Sequence, residues 1–225
     1  MKHSPVAAVI VAAVLVVACG KKNAPASTDA SAPAAPPAAQ DAPAASAAPA
    51  TPDQEEMARK QALMDYATME DHYLNDADGQ WASSVKVSST FGEEPGKEAS
   101  SVNAAINLAG KPDGKTWSNN NQNMGFDWVE ASFDKPVHAT EFRAVFHHGK
   151  GVEAVSKVEL QDTGGKWYTV WSGISTDKND ERGERSWVVR KFTATEYAVK
   201  AARLTIANNL ENGYKEMDAV QLVGK

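Results

Sequence analysis

Apolar residues at every second position mark residues 127–133 as a β-strand. Val129, Ala131 and Phe133 fall on one face, which is the pattern of a strand with one side buried. Residues 134–137 then turn the chain, because Pro136 fixes φ and has no N–H group to donate to a neighbouring strand. A second alternating run at residues 139–146 predicts the next strand.

The same pattern predicts a hairpin further along the chain. Its strands are residues 157–161 and 166–171, and Gly164 and Gly165 supply the positive φ that its turn needs. Further strands are predicted at residues 186–192, 201–206 and 216–224. Short strands separated by Gly, Pro and Asp are typical of a β-sandwich.

Spacings of three and four residues predict one amphipathic helix over residues 51–76, before the strands. Thr51 can cap this helix, Pro52 suits its first position, and Gln54 completes a capping box. The apolar stripe consists of Ala58, Ala62, Tyr66, Met69 and Tyr73. Two roles remain open, because the stripe can pack against the sandwich or serve as a docking or oligomerisation surface.

Composition excludes several classes of function. The chain has 29 acidic and 23 basic residues, a net charge of −6, which argues against a nucleic-acid partner. A P-loop interpretation of Gly114-Lys115-Thr116 fails because Ala109 stands where that loop needs glycine. The sequence contains no nucleophile elbow, zinc-protease motif or paired-cysteine redox motif, and nothing marks a catalytic pair of carboxylates. We therefore predict that the protein is not an enzyme.

Residues 1–18 have the pattern of a signal peptide, with a basic start and a short apolar run. The run ends in Val16-Val17-Ala18-Cys19-Gly20, which resembles the lipobox of bacterial lipoproteins. That resemblance implies cleavage before Cys19 and acylation of its thiol and amino group, palmitate included, which makes a stable membrane anchor. The alternative is an ordinary secretory signal. Gly20 in place of Asp favours the outer membrane of the cell envelope.

Residues 19–50 follow the predicted cleavage site and consist mainly of Ala, Pro and Ser. This composition lacks a hydrophobic period and cannot bury a core, which predicts a disordered tether between the lipidated Cys19 and the helix. A Pro-rich segment extends by about 3 Å per residue. The tether can therefore hold the domain some tens of ångströms from the membrane.

Residues 77–225 resemble the discoidin, or coagulation-factor type C, family of galactose-binding-like sandwiches. The order of several short pieces carries this resemblance: residues 81–84, residues 109–113 with Trp117, residues 128–130 before 133–137, residues 158–160 before 165–167, residues 202–204, and residues 217–220. The family implies a mainly β, jelly-roll sandwich whose loops at one end bind glycans, lipid head groups or proteins. It also implies, in many members, a structural calcium in the loop before the tryptophan.

The calcium expectation applies to three residues of this chain. Asp113, Thr116 and Glu216 offer the oxygen ligands that a hard cation prefers. Two departures from the family pattern stand against it: Thr116 directly precedes Trp117, and Ala219 stands where a glutamate often completes the site. An ordinary turn at residues 112–114 is the alternative, and no other cofactor is required.

The candidate sugar site lies between residues 115 and 123. Trp117 is the predicted exposed aromatic side chain, whose face would stack on a sugar ring. Its neighbours Asn119, Asn120 and Asn121 carry amides that both donate and accept hydrogen bonds. The alternative is a polar surface loop.

His147 and His148 are predicted to add hydrogen bonds to the sugar site. Adjacent residues of a strand point to opposite faces, which makes the pair a poor metal site.

These observations together predict a membrane-anchored envelope lipoprotein whose domain is a non-catalytic carbohydrate-binding module. Its partners would be a glycan or envelope polysaccharide and, through the lipid anchor, the membrane. The alternative function is a protein–protein interaction or scaffolding module that binds another envelope protein.

Overall fold

The structure, a computed structural model, describes residues 51–94 and 101–225. The predictions for the signal peptide, for lipidation of Cys19 and for the tether at residues 19–50 lie outside the described residues.

The first described element is the helix α1, Pro52–Leu74. Its start has the predicted capping box. The Thr51 hydroxyl accepts from the Gln54 backbone N–H at 3.4 Å, and the Gln54 side chain accepts from the Thr51 N–H at 2.9 Å. These bonds satisfy two backbone donors that would otherwise have no partner in the helix. The sequence signal for the helix start is therefore confirmed.

In the described part of the chain, ten strands follow α1, with short 3-10 helices between some of them. The strands are β1 (Gly79–Trp81), β2 (Ser84–Val87), β3 (Trp117–Ser118), β4 (Phe126–Val137), β5 (Ala139–His147), β6 (Val155–Asp162), β7 (Trp167–Ser172), β8 (Arg185–Lys191), β9 (Val199–Ala207) and β10 (Glu216–Gly224). The 3-10 helices are Ser101–Asn103, Ala105–Leu108, Val152–Ala154 and Asn208–Leu210.

The strands form two five-stranded antiparallel sheets. Sheet I has the order β1-β10-β5-β8, with β3 also paired to β10, and sheet II has the order β2-β4-β9-β6-β7. Every strand pair is antiparallel. The predicted mainly β sandwich preceded by one helix is confirmed, and so is the β6–β7 hairpin, with Gly165 at a φ of 92°.

The core lies between the two sheets. Val129, Ala131 and Phe133 of β4 are all buried, as their alternation predicts. The strand does not end before Pro136 but continues to Val137, and its register with β9 shifts between Ser132 and Val137. The shift is expected at a proline, because it removes one donor from the pairing. The chain turns one residue later, at His138.

The helix packs on the outer face of sheet I. Tyr66 is buried, and its hydroxyl donates to the carbonyl oxygen of Arg185 at 2.8 Å. The Tyr73 ring lies 5.0 Å from the Trp187 ring, and the Tyr73 carbonyl accepts from the Gln221 amide at 3.1 Å. These contacts show that part of the stripe packs against the sandwich.

The predicted stripe is buried over most of its length but not at its start. Ala62, Tyr66, Met69 and Tyr73 are buried or half-buried, whereas Ala58 is exposed, as is all of residues 52–61. The first ten residues of α1 therefore extend beyond the sandwich. No helix within residues 51–94 or 101–225 has an apolar stretch long enough to cross a membrane.

Candidate functional site

Connections between strands converge at one end of the sandwich, which we call the loop end. β2, β5, β7 and β9 end there, and β4, β6, β8 and β10 begin there, because each neighbouring pair is antiparallel. The described connections at the loop end are residues 88–94, 101–116, 119–125, 148–154, 173–184 and 208–215.

The carboxylate of Asp127, at the start of β4, ties three of these connections together. It is buried and accepts from the hydroxyls of Ser88 at 2.6 Å and Ser89 at 2.8 Å. The amides of Asn119 and Asn208 each donate to it at 2.9 Å. Burial alone would raise the pKa of Asp127, but these hydrogen bonds to its charged form hold the pKa below its usual value.

The ammonium group of Lys215 is a second buried anchor of the loop end. Its Nζ donates to the carbonyl oxygens of Gln122 at 2.9 Å, Glu211 at 2.6 Å and Gly213 at 2.5 Å. Burial lowers the pKa of Lys215, while the negative charges of Glu211 and Asp127 act in the opposite direction. Together the two anchors hold the backbone of these connections in one arrangement, so a site built on them is largely preorganised.

An open cleft of about 150 Å³ lies among the anchored connections. One wall is aromatic, because the rings of Phe91 and Tyr214 meet edge to face with centroids 4.6 Å apart. Phe91 remains 39% exposed, although its backbone N–H is held by the Ser118 carbonyl at 2.8 Å. The cleft therefore presents an apolar ring surface to solvent from a fixed backbone position.

The rest of the cleft is polar. Its lining includes Ser118, Asn103 and Glu216, and Glu216 lies opposite Ser118 in the β3–β10 pairing. The Glu216 carboxylate accepts from the Lys150 ammonium at 2.7 Å. A carboxylate, a hydroxyl, an amide and an ammonium offer both donors and acceptors beside an aromatic wall, an arrangement suited to a small polyhydroxyl ligand.

The prediction that Trp117 is exposed is wrong. Its side chain is 0% exposed and lies in the hydrophobic core, and its indole N–H donates to the Ser89 carbonyl at 2.9 Å. Trp117 lies in β3, a strand of only two residues, and pairs with Met217 of β10. A strand this short shows no period in the sequence, so the residue resembled part of a loop.

The three asparagines after Trp117 differ in exposure. Asn119 is buried and bonds to both anchors, because its amide donates to Asp127 and its oxygen accepts from the Lys215 N–H at 2.8 Å. Asn121 is exposed, and its amide nitrogen lies 3.2 Å from the Asp127 carboxylate. Asn120 is exposed, with its backbone N–H donating to the Ser89 hydroxyl. The side chains of Asn120 and Asn121 therefore remain candidates for ligand contact, and Asn119 does not.

The rings of His147 and His148 do not point to opposite faces. Their centroids are 4.1 Å apart, because β5 ends at His147 and His148 adopts a left-handed backbone with φ of 48°. The pair lies at the loop end, where His147 faces Arg185 of β8. Its predicted role in ligand binding remains a prediction, and it does not line the cleft described above.

Two of the three predicted calcium ligands, Asp113 and Glu216, are paired with a lysine. The Asp113 carboxylate is 2.8 Å from the Lys115 ammonium, and Glu216 pairs with Lys150 as described. Within residues 51–94 and 101–225, no three His, Cys, Asp or Glu side chains cluster in a way that would hold a metal ion. Calcium binding by Asp113, Thr116 and Glu216 remains a prediction.

A different carboxylate organises the loop around Asp113. Asp218 is buried and accepts from the backbone N–H groups of Asp113 at 3.1 Å and Gly114 at 3.2 Å. Arg185 donates to the same carboxylate at 3.2 Å. The Asp218 carboxylate thus faces backbone N–H groups rather than carbonyl oxygens that could bind a cation with it. The Arg185 guanidinium already supplies positive charge beside it.

Four of the residues that line the cleft are not among the sites predicted from the sequence: Phe91, Asn103, Ser118 and Tyr214. Glu216 was selected, but as a calcium ligand. The sequence indicates a role for Phe91 and Tyr214 only weakly, since each is simply an aromatic residue next to a glycine in a polar connection. Phe91 and Tyr214 are more than 100 positions apart in the chain, so their proximity depends on how two distant connections pack together.

Comparisons with known proteins found likeness in structure alone. No family model matches the chain, and no curated protein matches its sequence. A chitosan-binding module from a chitosanase/glucanase of Paenibacillus sp. IK-5 is similar, with a TM-score of 0.48 and 12% identity, over 64% of this chain and 96% of that one.

Two modules from Clostridium perfringens are also similar to the chain. A family 32 carbohydrate-binding module of a family 31 glycoside hydrolase has a TM-score of 0.48 and 13% identity, over 69% of this chain and 97% of that one. The family 32 module of NanJ, solved with galactose, has a TM-score of 0.45 and 10% identity, over 64% and 98%. At such identities no ligand follows for this chain.

Proposed function

We propose that this protein is a non-catalytic carbohydrate-binding module, with its ligand in the cleft at the loop end. One observation carries the proposal: the exposed face of Phe91, braced by Tyr214, borders a group of hydrogen-bonding side chains. An aromatic face covers the C–H side of a sugar ring, while Asn103, Ser118 and Glu216 bond its hydroxyls. The buried anchors at Asp127 and Lys215 reduce the ordering cost of binding.

The chemistry of the cleft supports binding without catalysis. Glycoside hydrolysis needs two carboxyl groups on either side of the scissile bond. Among the described residues, the lining of the cleft includes a single carboxylate, Glu216, and it is paired with Lys150. A paired carboxylate remains a good acceptor for a sugar hydroxyl, whereas a general acid must carry a proton.

The proposal extends to the location of the protein. The resemblance of residues 16–20 to a lipobox supports lipidation of Cys19, and Gly20 supports sorting to the outer membrane. A glycan of the cell envelope is then the nearest ligand, because a tethered module meets ligands within reach of its tether at high effective concentration.

Equilibrium binding to a panel of oligosaccharides and to purified peptidoglycan tests the proposal. We expect saturable binding to at least one glycan, weakened about fivefold to thirtyfold by Phe91→Ala. This factor corresponds to roughly 1–2 kcal/mol, the usual effect of removing an aromatic anchor. A parallel series with a chelator tests the predicted calcium at Asp113, Thr116 and Glu216.

Phe126→Ala is the matched control, because Phe126 is also an exposed phenylalanine at the loop end but does not line the cleft. It should leave binding to free glycans unchanged. Equal loss in the two variants would contradict the cleft assignment, and the absence of any binding by the folded protein would contradict the proposed function.

A protein–protein interaction is the second candidate function, and the exposed first ten residues of α1 favour it. Residues 52–61 are exposed and include Met57, which is 65% exposed, while Met64 lies just after them and is 64% exposed. Crosslinking in cells that carry Met57→Ser and Met64→Ser would test it. A partner captured by the wild type and lost in this variant supports the scaffold function.

A further inference from the structure

The side chain of Lys215 ends in a cage of main-chain oxygens. Four carbonyl groups lie within hydrogen-bond distance of its Nζ: Gln122 at 2.9 Å, Asn208 at 3.4 Å, Glu211 at 2.6 Å and Gly213 at 2.5 Å. Lys215 is 0% exposed. The protein rather than bulk water therefore surrounds this positive charge.

The cage has the composition of an ion site rather than of a salt bridge. An ammonium group has three N–H donors, fewer than the four oxygens around it. Among the described residues, no carboxylate bonds to this Nζ, although the charges of Glu211 and Asp127 act on it. Main-chain carbonyl oxygens are the groups that replace the water shell of potassium and also bind calcium in proteins.

This arrangement of oxygens requires a cation at its centre. Carbonyl oxygens carry partial negative charges, which repel one another when four of them surround one buried point. A buried acceptor that loses its partner also costs the free energy of its desolvation. The Lys215 side chain therefore stabilises a backbone conformation that would be unfavourable without a positive charge.

The cage joins three connections of the loop end. Gln122 lies in the connection before β4, and the other three carbonyl groups lie in residues 208–215. The carboxylate of Glu211 extends the cage to the connection after β5, because it accepts from the N–H groups of Gly151 at 2.7 Å and Glu153 at 3.2 Å. One cation thus fixes the relative positions of all three.

Lys215 also lies between two residues of the cleft. Its neighbours Tyr214 and Glu216 both line the cleft, so a shift of the backbone at Lys215 moves both walls. The backbone is held on each side, since the Lys215 N–H donates to the Asn119 side chain at 2.8 Å and the Glu216 N–H donates to the Lys150 carbonyl at 2.9 Å. The caged charge therefore positions the cleft without contacting its ligand.

We propose that this cage is a cation site in which the Lys215 ammonium takes the place of a bound metal ion, and that a free monovalent cation can replace it. Potassium and ammonium ions fit this role, because each carries the single positive charge of the group that they would replace. The cage oxygens are not those of the calcium predicted at Asp113, Thr116 and Glu216. The cage also does not depend on which ligand the cleft binds.

Two variants of Lys215 separate the charge from the side chain. Lys215→Ala removes the ammonium and leaves room for an ion, whereas Lys215→Met keeps a stem of similar length without the charge. Both are made in the full chain with Cys19→Ser, so that no acyl chain is attached. Lys178→Ala is the control, because Lys178 is an exposed lysine of the loop end whose ammonium pairs with Glu153.

Thermal unfolding and hydrogen exchange are measured in three salts at about 0.1 M, which gives them equal ionic strength. The salts are potassium chloride, ammonium chloride and tetramethylammonium chloride, whose cation is too large for the cage. In the last salt, Lys215→Ala should unfold at least about 8 °C below the wild type. The other two salts should restore at least about half of that loss and slow exchange in residues 208–215.

The other proteins should not respond to the choice of salt. Lys215→Met should be destabilised like Lys215→Ala but gain nothing from potassium or ammonium, because its terminal methyl group occupies the cage. The unfolding temperatures of the wild type and of Lys178→Ala should differ by at most about 2 °C among the three salts.

Four results would overturn the proposal. Equal recovery of Lys215→Ala in tetramethylammonium chloride would show a general effect of salt, and failure to fold or to recover in every salt would show that no free cation enters the cage. Wild-type stability in Lys215→Met would show that the cage needs no charge. An equal gain from potassium in the wild type would show that Lys215 is not its cation.

Discussion

The side chain of Asp127 holds three connections of the loop end together. Its carboxylate accepts hydrogen bonds from the connection after β2, the connection before β4 and the connection after β9. A buried charge is tolerated only when its hydrogen-bonding capacity is satisfied, and here hydroxyls and amides satisfy it without a cation in direct contact. The positions of the cleft residues on these connections therefore depend on Asp127 being ionised.

The stability of the protein should consequently fall in acid through Asp127. Because hydrogen bonds hold its pKa low in the fold, its contribution is complete above the ordinary aspartate pKa of about 3.9. The contribution is lost as the pH falls through the lower pKa of the folded state. Thermal unfolding between pH 7 and pH 2.5 measures this dependence.

The Asp127→Asn variant separates this effect from general acid unfolding. At pH 7 it should lose at least roughly 2 kcal/mol of stability, because an amide cannot accept all the bonds that the carboxylate accepts. The difference from the wild type should shrink below pH 4. Asp134→Asn at an exposed site is the control, and a difference that stays constant with pH would contradict the role of Asp127.

At the scale of elements, α1 is held by a few specific contacts. Arg185 donates to Glu70 at 3.3 Å, and the Arg143 guanidinium lies 4.3 Å above the Tyr73 ring. The ring of Tyr66 packs directly on Gly183, in the connection before β8. Because Gly183 has no side chain, the helix can approach sheet I closely at this point.

Gly183→Ala should loosen α1. The added Cβ would lie 2.3 Å from ring atoms of Tyr66, so the ring or the connection must shift. We expect a loss of roughly 1–3 kcal/mol of stability, typical of overpacking, and faster hydrogen exchange in residues 62–74. Gly164→Ala, in the β6–β7 turn without backbone strain, is the control. Unchanged exchange in the helix would show that Tyr66 does not fix its position.

At the scale of the whole molecule, the helix is part of the sandwich rather than an addition to it. Arg143, Glu141 and Gln221 are buried polar residues of sheet I, and Arg143 reaches Asp76 at 2.8 Å in the connection after α1. Removing α1 would expose Trp187 and this polar group together. The two halves of the helix should therefore differ in their importance for stability.

Two truncations measure that difference. Residues 62–225 keep the packed half of α1 and should match residues 51–225 in thermal unfolding to within about 0.5 kcal/mol. Residues 75–225 lose the buried Tyr66 and the half-buried Tyr73, and should be less stable by at least about 3 kcal/mol. Equal stability of the two truncated chains would contradict the packing role of α1.

The local elements of this protein follow from the sequence by itself. The capping box at Thr51 and Gln54, the alternation in β4 and the glycine turn of the β6–β7 hairpin involve residues at most a few positions apart. Backbone preferences and side-chain periods act over that range, and they were sufficient to predict one helix and a β-sandwich. They also predicted the apolar stripe of α1, although not which of its residues pack against the sandwich.

Tertiary structure alone decided the candidate site. Trp117 is buried because β3 pairs with Met217, and His148 meets His147 because the chain turns left-handed where β5 ends. The cleft joins Phe91 to Tyr214, and Asn119 bonds to Lys215 across a separation of 96 residues. Contacts at such distances are set by the packing of both sheets, and periodicity along one chain carries no information about them.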